Sequence, residues 1–103
     1  MWIQLYPTEV KLFMYFENMK LYPNLAEAIA NTVESLRKAK KMSKSSLADY
    51  ADIERCYLRG IEKGARKPTV NTIFCLCEAL QINPVDFFRM VMSELEKLNN
   101  NSS

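Results

Sequence analysis

Arg55 and Arg59 stand four residues apart, with Cys56 beside the first, in a stretch that also carries Leu58 and Ile61. On a helix, residues three and four apart share a face. The two guanidinium groups and the thiol are therefore presented together while Leu58 and Ile61 turn inward. The preceding residues, from Ser43 to Asp52, spell a second short amphipathic helix, and the two are joined by a tight turn. A helix held in this way can enter the major groove of DNA, which is wide enough to admit it.

The charge distribution points the same way. Between Arg37 and Lys67 there are ten basic side chains and four acidic ones, a net of +6, which leaves the rest of the chain at −4. A basic middle between acidic flanks is the electrostatic footprint of a polyanion site, although a solvated charged face has the same composition. Other chemistry finds little support. The chain has no histidine, no glycine-rich phosphate loop and no paired carboxylates in a plausible cleft, so the reading is of a non-enzyme with no cofactor. Cys75 and Cys77 lie two apart, point to different sides of a helix, and have no histidine to complete a zinc site. A small buried side chain explains Cys77 better. No apolar run approaches the roughly 18 residues of a membrane span, and the N-terminus does not read as a signal peptide. A cytoplasmic protein is expected.

Five helices must position these residues. Asn24 is expected to cap the first, with Glu27 reaching back; Leu25, Ile29, Val33 and Leu36 form its apolar stripe to about Lys40. Ser43 caps a second helix that buries Leu47, Ala48 and Ala51, and Asp52 closes it in a left-handed conformation. The third runs from about Glu54 to Lys63 and stops at Gly64. Arg66-Lys67-Pro68 is a basic loop. Thr69 caps a fourth helix with Val70, Ile73, Leu76, Cys77 and Leu80 facing inward. Asn83-Pro84 opens a fifth, carrying Phe87, Phe88, Val91, Leu95 and Leu98 before an Asn/Ser tail at 99–103. Six of the eleven aromatic residues crowd into residues 1–24. There the segment from Thr8 to about Lys20 fits a helix or an alternating strand; a short helix is the expected form. The fold class is therefore all-α, a compact five-helix bundle over residues 25–98 with an aromatic N-terminal arm.

The ordered set Leu36-Arg37, Ser43-Lys44, Leu47-Ala48, Ala51, Ile53, Tyr57-Leu58, Ile61-Glu62-Lys63-Gly64, Pro68, Ala79-Leu80 and Phe87-Phe88 resembles the helix-turn-helix domain of the phage lambda Cro and repressor family. It covers about Val33 to Phe88, over half of the chain. The resemblance implies a lambda-repressor-like bundle whose third helix recognises DNA. It implies that Arg55 and Cys56 read base edges with Arg59 one turn further on, and that Lys44 holds phosphate. A guanidinium fork matches the O6 and N7 acceptors of guanine; a phosphate clamp is the other reading of Arg55. Arg37 and Glu62 fall where some relatives form an ion pair that orients the recognition helix. Lys41, Tyr57, Lys63, Arg66 and Lys67, with Thr69 and Asn71 at the start of the fourth helix, are the candidate phosphate contacts. Three residues depart from the family pattern. Glu54 replaces the usual Ser or Thr cap and would repel DNA unless it accepts from cytosine or Arg55. Gly60 removes a side chain at a frequent reading position, either for close approach to DNA or because the position is unused. Lys41 replaces a turn glycine.

One such domain contacts about half an operator, and two-fold dimers set recognition helices about 34 Å apart. The sequence thus predicts a homodimeric transcriptional regulator of double-stranded DNA, a repressor or controller protein of bacterial or phage type. Its candidate dimer surfaces are the row Phe88, Val91, Leu95 and Leu98 and the aromatic arm. The alternative is an antitoxin-like subunit whose arm binds a partner protein; co-purification of a partner would separate the two.

Overall fold

Residues 22–101 are described by the computed structural model, and the apolar stripes become five helices. These are α1 (Leu25–Ala39), α2 (Lys44–Ala51), α3 (Arg55–Glu62), α4 (Val70–Leu80) and α5 (Pro84–Asn101). Three of them start on the expected caps. The Ser43 hydroxyl accepts from the Ser46 amide at 3.0 Å, the Thr69 hydroxyl from Thr72 at 3.1 Å, and the Asn83 side chain from Val85 at 2.8 Å. Each removes an orphan donor that the helix itself cannot satisfy.

The ends are set by left-handed residues. Asp52 closes α2 at φ 57° and Gly64 follows α3 at φ 75°. Lys41 takes φ 56° after α1, so the turn keeps the glycine conformation without the glycine and bears the steric cost of a Cβ there.

Asn24 does not behave as expected. It adopts φ 63° and makes no side-chain cap; its amide instead donates to the Asn99 side chain at 2.9 Å. The start of α1 is thereby tied to the last turns of α5, and the first turn is completed through the Asn24 carbonyl, which accepts from Ala28 at 2.9 Å. The fifth helix also continues to Asn101, beyond its expected end at Leu98. Most of the aromatic arm, including the helix expected between Thr8 and Lys20, lies outside the described residues.

The bundle is arranged around a single buried cluster in which Val33, Leu47, Leu58, Ile61, Leu76 and Phe87 are wholly inaccessible. Helix α1 lies against α5 and α3, while α2 lies against α4 and α3. The short pair α2–α3 is therefore backed by the longer helices α1 and α4. That support matters because isolated helices this short are not stable in water. Cys77 is buried within the same cluster, and desolvation raises its thiol pKa above the ordinary value. Among the described residues no group of side chains could hold a metal ion, and no helix is long and apolar enough to cross a membrane.

The row expected to face a second subunit divides in two. Val91 and Leu95 are buried and Leu98 packs against the core, so these three belong to the bundle itself. Only Phe88 stays outside. Its exposed companions on α5 are Val85 and Met92.

Candidate nucleic-acid interface

Helix α3 is anchored before it presents anything. Leu58 and Ile61 insert into the core, and Glu62, at its last turn, receives Arg37 from α1. The Arg37 Nε donates to Glu62 Oε2 at 2.8 Å and Nη2 donates to Oε1 at 3.1 Å. A third donor, Nη1, reaches the Met42 carbonyl at 2.8 Å. The two side chains are 10% and 1% exposed. One guanidinium thus fastens the end of α1, the turn before α2 and the end of α3. The forked geometry supplies both charge and direction.

With Leu58 and Ile61 inward, Arg55, Cys56 and Arg59 emerge together on the exposed face of α3. Lys44 is exposed on the first turn of α2. Lys63, Arg66, Lys67, Thr69 and Asn71 are all exposed along the connection from α3 into α4, and Lys41 is exposed in the turn after α1. Tyr57 is half-buried and packs against the core, so only part of its ring is available. The Thr69 hydroxyl is engaged in its cap. Asn71 is unencumbered by such a role. Lys67 and Pro68 fold back over α1, lining a recess of about 200 Å³ with Tyr22, Leu25, Ala26 and Ile29.

Two of the departures acquire physical explanations. Glu54 precedes α3 with φ −70° and ψ 143° and makes no side-chain cap; its carboxylate is exposed at the positive end of the helix dipole. It does not take Arg55, which pairs with Asp49 of α2 instead, Nη2 to Oδ2, at 3.5 Å. Asp49 had no signal in the sequence, since one acid in a basic segment reads as a solvated charge.

Gly60 has a packing reason within the chain itself. A Cβ built there would lie 2.5 Å from Cγ of Arg66, and the Gly60 carbonyl accepts from the amides of Ala65 and Arg66 at 2.9 and 3.2 Å. The missing side chain makes room for the Arg66 stem to lie across α3. The space left by the glycine is occupied by that stem.

A family model described as helix-turn-helix matches residues 33–87, more than half of the chain. The chain belongs to this helix-turn-helix family. Among solved structures it is similar to the wild-type restriction-modification controller protein C.Esp1396I, with 26% identity over 72% of this chain and 97% of that one, at a TM-score of 0.67. It is also similar to the controller protein C.AhdI from Aeromonas hydrophila, with 32% identity over 64% of this chain and 98% of that one, at 0.60. A structure of C.Esp1396I bound to a 19 base pair DNA duplex matches with 27% identity over 69% and 95% of the two chains, at 0.65. No curated protein sequence matches the chain. The fold expected from the Cro-and-repressor resemblance is thus the one found, and the helix-turn-helix unit lies where that resemblance put it.

Proposed function

We propose that the protein is a sequence-specific regulator of transcription that binds double-stranded DNA as a homodimer, with α3 in the major groove. The observation that carries this reading is the α2–turn–α3 unit itself. It offers Arg55, Cys56 and Arg59 from one exposed face of a helix whose far side is locked by the Arg37–Glu62 pair. Base edges are read by the former; Lys41, Lys44, Lys63, Arg66 and Lys67, with the start of α4, hold the phosphate backbone. The domain that carries this role is residues 25–98, with residues 1–24 as a separate arm. It calls for binding and no catalytic step, and it belongs in the cytoplasm, on bacterial or phage DNA. The relatives support it, since one is a controller protein seen on a duplex and seen again as a tetramer with its natural 35 base-pair operator.

Selection of bound duplexes from a random pool tests the reading. The expected product is an inverted repeat whose half-sites are centred about 34 Å apart, one helical turn. A pool that returns with no enriched sequence would show that the chain is not a sequence-specific binder.

For the dimer, the exposed residues of α5 replace the row read from the sequence. Val85, Phe88 and Met92 follow a spacing of three and four, and Val70 and Phe74 are exposed on α4. Phe74 and Pro84 line one groove between the two helices, and exposed apolar side chains of this size are of the kind that marks a protein interface. Phe88→Glu is expected to convert a sedimenting dimer to monomer and to weaken operator binding, leaving the circular dichroism spectrum intact. Retention of the dimer by that variant would move the interface elsewhere, with the aromatic arm as the next candidate.

A further inference from the structure

Arg55, the residue best placed to read a base, is already engaged in the free protein by a carboxylate from the other helix of the motif. Asp49 lies on the exposed side of α2, and its Oδ2 stands 3.5 Å from the Arg55 Nη2 across the turn. Both side chains are well exposed, at 66% and 60%. In water such a pair contributes little to stability. Its position gives it another significance. Asp49 is exposed on the last turns of α2 and Arg55 begins α3, so the carboxylate meets the guanidinium beside the turn of the motif.

We infer that Asp49 is a specificity-determining residue that acts through Arg55: it holds the guanidinium fork toward the groove and withholds its charge from non-specific phosphate contacts. The inference rests on the reading of Arg55 as a base contact. Two physical consequences follow from the geometry. First, a long arginine side chain free in solution has several rotamers to lose on docking, and a carboxylate that already restricts it lowers that cost at the correct base. Second, an acid beside the cation cancels part of its attraction for any backbone phosphate, which carries no sequence information. The pair becomes more consequential once water is displaced from the groove, because Coulomb attraction strengthens as the local dielectric falls. Asp49 therefore lowers affinity for random duplex while favouring the site at which Arg55 finds paired acceptors. A merely solvated acid would lower both affinities alike and leave their ratio unchanged.

A double-mutant cycle on the duplex obtained by selection separates these cases. Binding of Asp49→Ala, Arg55→Ala and the double variant to specific and random duplexes is measured across a salt series. Asp49→Ala is expected to tighten random binding, to steepen its salt slope by about one unit, and to lower the specific-to-random ratio about three- to tenfold. In the Arg55→Ala background the same substitution should leave the ratio unchanged. Asp49→Asn, which keeps an acceptor without the charge, should restore part of the ratio. If Arg55→Ala lowers the ratio but Asp49→Ala does not, or if Asp49→Ala lowers it equally without Arg55, the role of Asp49 is overturned while base reading stands. If Arg55→Ala itself leaves the ratio untouched, base reading by Arg55 fails and this inference fails with it. Equal melting temperatures for parent and Asp49→Ala are expected, since no core contact involves the side chain.

Discussion

Glu62→Ala is expected to lower the free energy of unfolding by about 3–5 kcal/mol, the range for removing one partner of a buried ion pair. The carboxylate it deletes is nearly inaccessible and receives two donors of Arg37. After the substitution the guanidinium stays buried with one carbonyl, that of Met42, as its remaining acceptor. The loss is thus an uncompensated charge in addition to a missing hydrogen bond. A domain of this size is stable by about 5–15 kcal/mol, so the variant approaches the edge of folding at moderate temperature. Urea unfolding followed by far-ultraviolet circular dichroism measures the effect through the midpoint at constant slope. A change below about 1 kcal/mol would mean that solvent reaches the pair, contrary to the observed burial.

The double variant Arg37→Met with Glu62→Leu distinguishes charge from packing. Replacing a buried pair with apolar residues of similar volume is often neutral or stabilising, so most of the lost stability should return. The Met42 carbonyl then lacks its donor, which limits the recovery. Such a recovery would show that the pair adds little net stability over apolar packing at the same place.

What could be read in advance follows the range over which each signal acts. Ser43, Thr69 and Asn83 were legible as caps because their partners lie two or three residues away. Asp52 and Gly64 were legible as terminators because backbone conformation is a local matter. The Arg37–Glu62 pair spans 25 residues and came from the family resemblance, with the simple rule that neither charge should stand alone beside an apolar stripe. Asn24 was misread because its partner, Asn99, is 75 residues distant, and no local rule prefers that bond to a cap. Gly60 was opaque for a related reason: the Arg66 stem reaches it through a loop whose path is set by tertiary packing. On α5 the spacing of three and four is satisfied by Val91 and Leu95 and also by Val85, Phe88 and Met92. Periodicity gives the existence of an apolar face, but the core and a neighbouring interface row differ by a modest rotation about the helix axis. Only the placement of α1 against α5 decides between them.

Arg55→Ala is expected to reduce the preference for the selected site over random duplex by roughly five- to 150-fold, the equivalent of the 1–3 kcal/mol that a bidentate arginine–guanine contact contributes. The argument depends on where the residue stands. Arg55 begins α3, its side chain is exposed, and the helix behind it is held by Leu58, Ile61 and the buried pair. A rigid element with an exposed end suits the reading of bases, because small angular errors would cost a forked contact both of its bonds. Random binding should fall far less, since a single cation among many contributes only one counterion to the total. Lys67→Ala supplies the opposite pattern. Lys67 belongs to the connection beyond α3, beside Pro68 and the recess on α1, and not to the recognition helix itself. Its loss should weaken specific and random binding alike and reduce the salt slope by about one unit. The two variants therefore divide the cationic surface into a part that selects and a part that only attracts. If both variants bind specific and random duplexes like the parent protein, the interface lies on another surface. If Arg55→Ala behaves as Lys67→Ala does, Arg55 is a phosphate clamp, and reading passes to Cys56 and Arg59 on the same helical face.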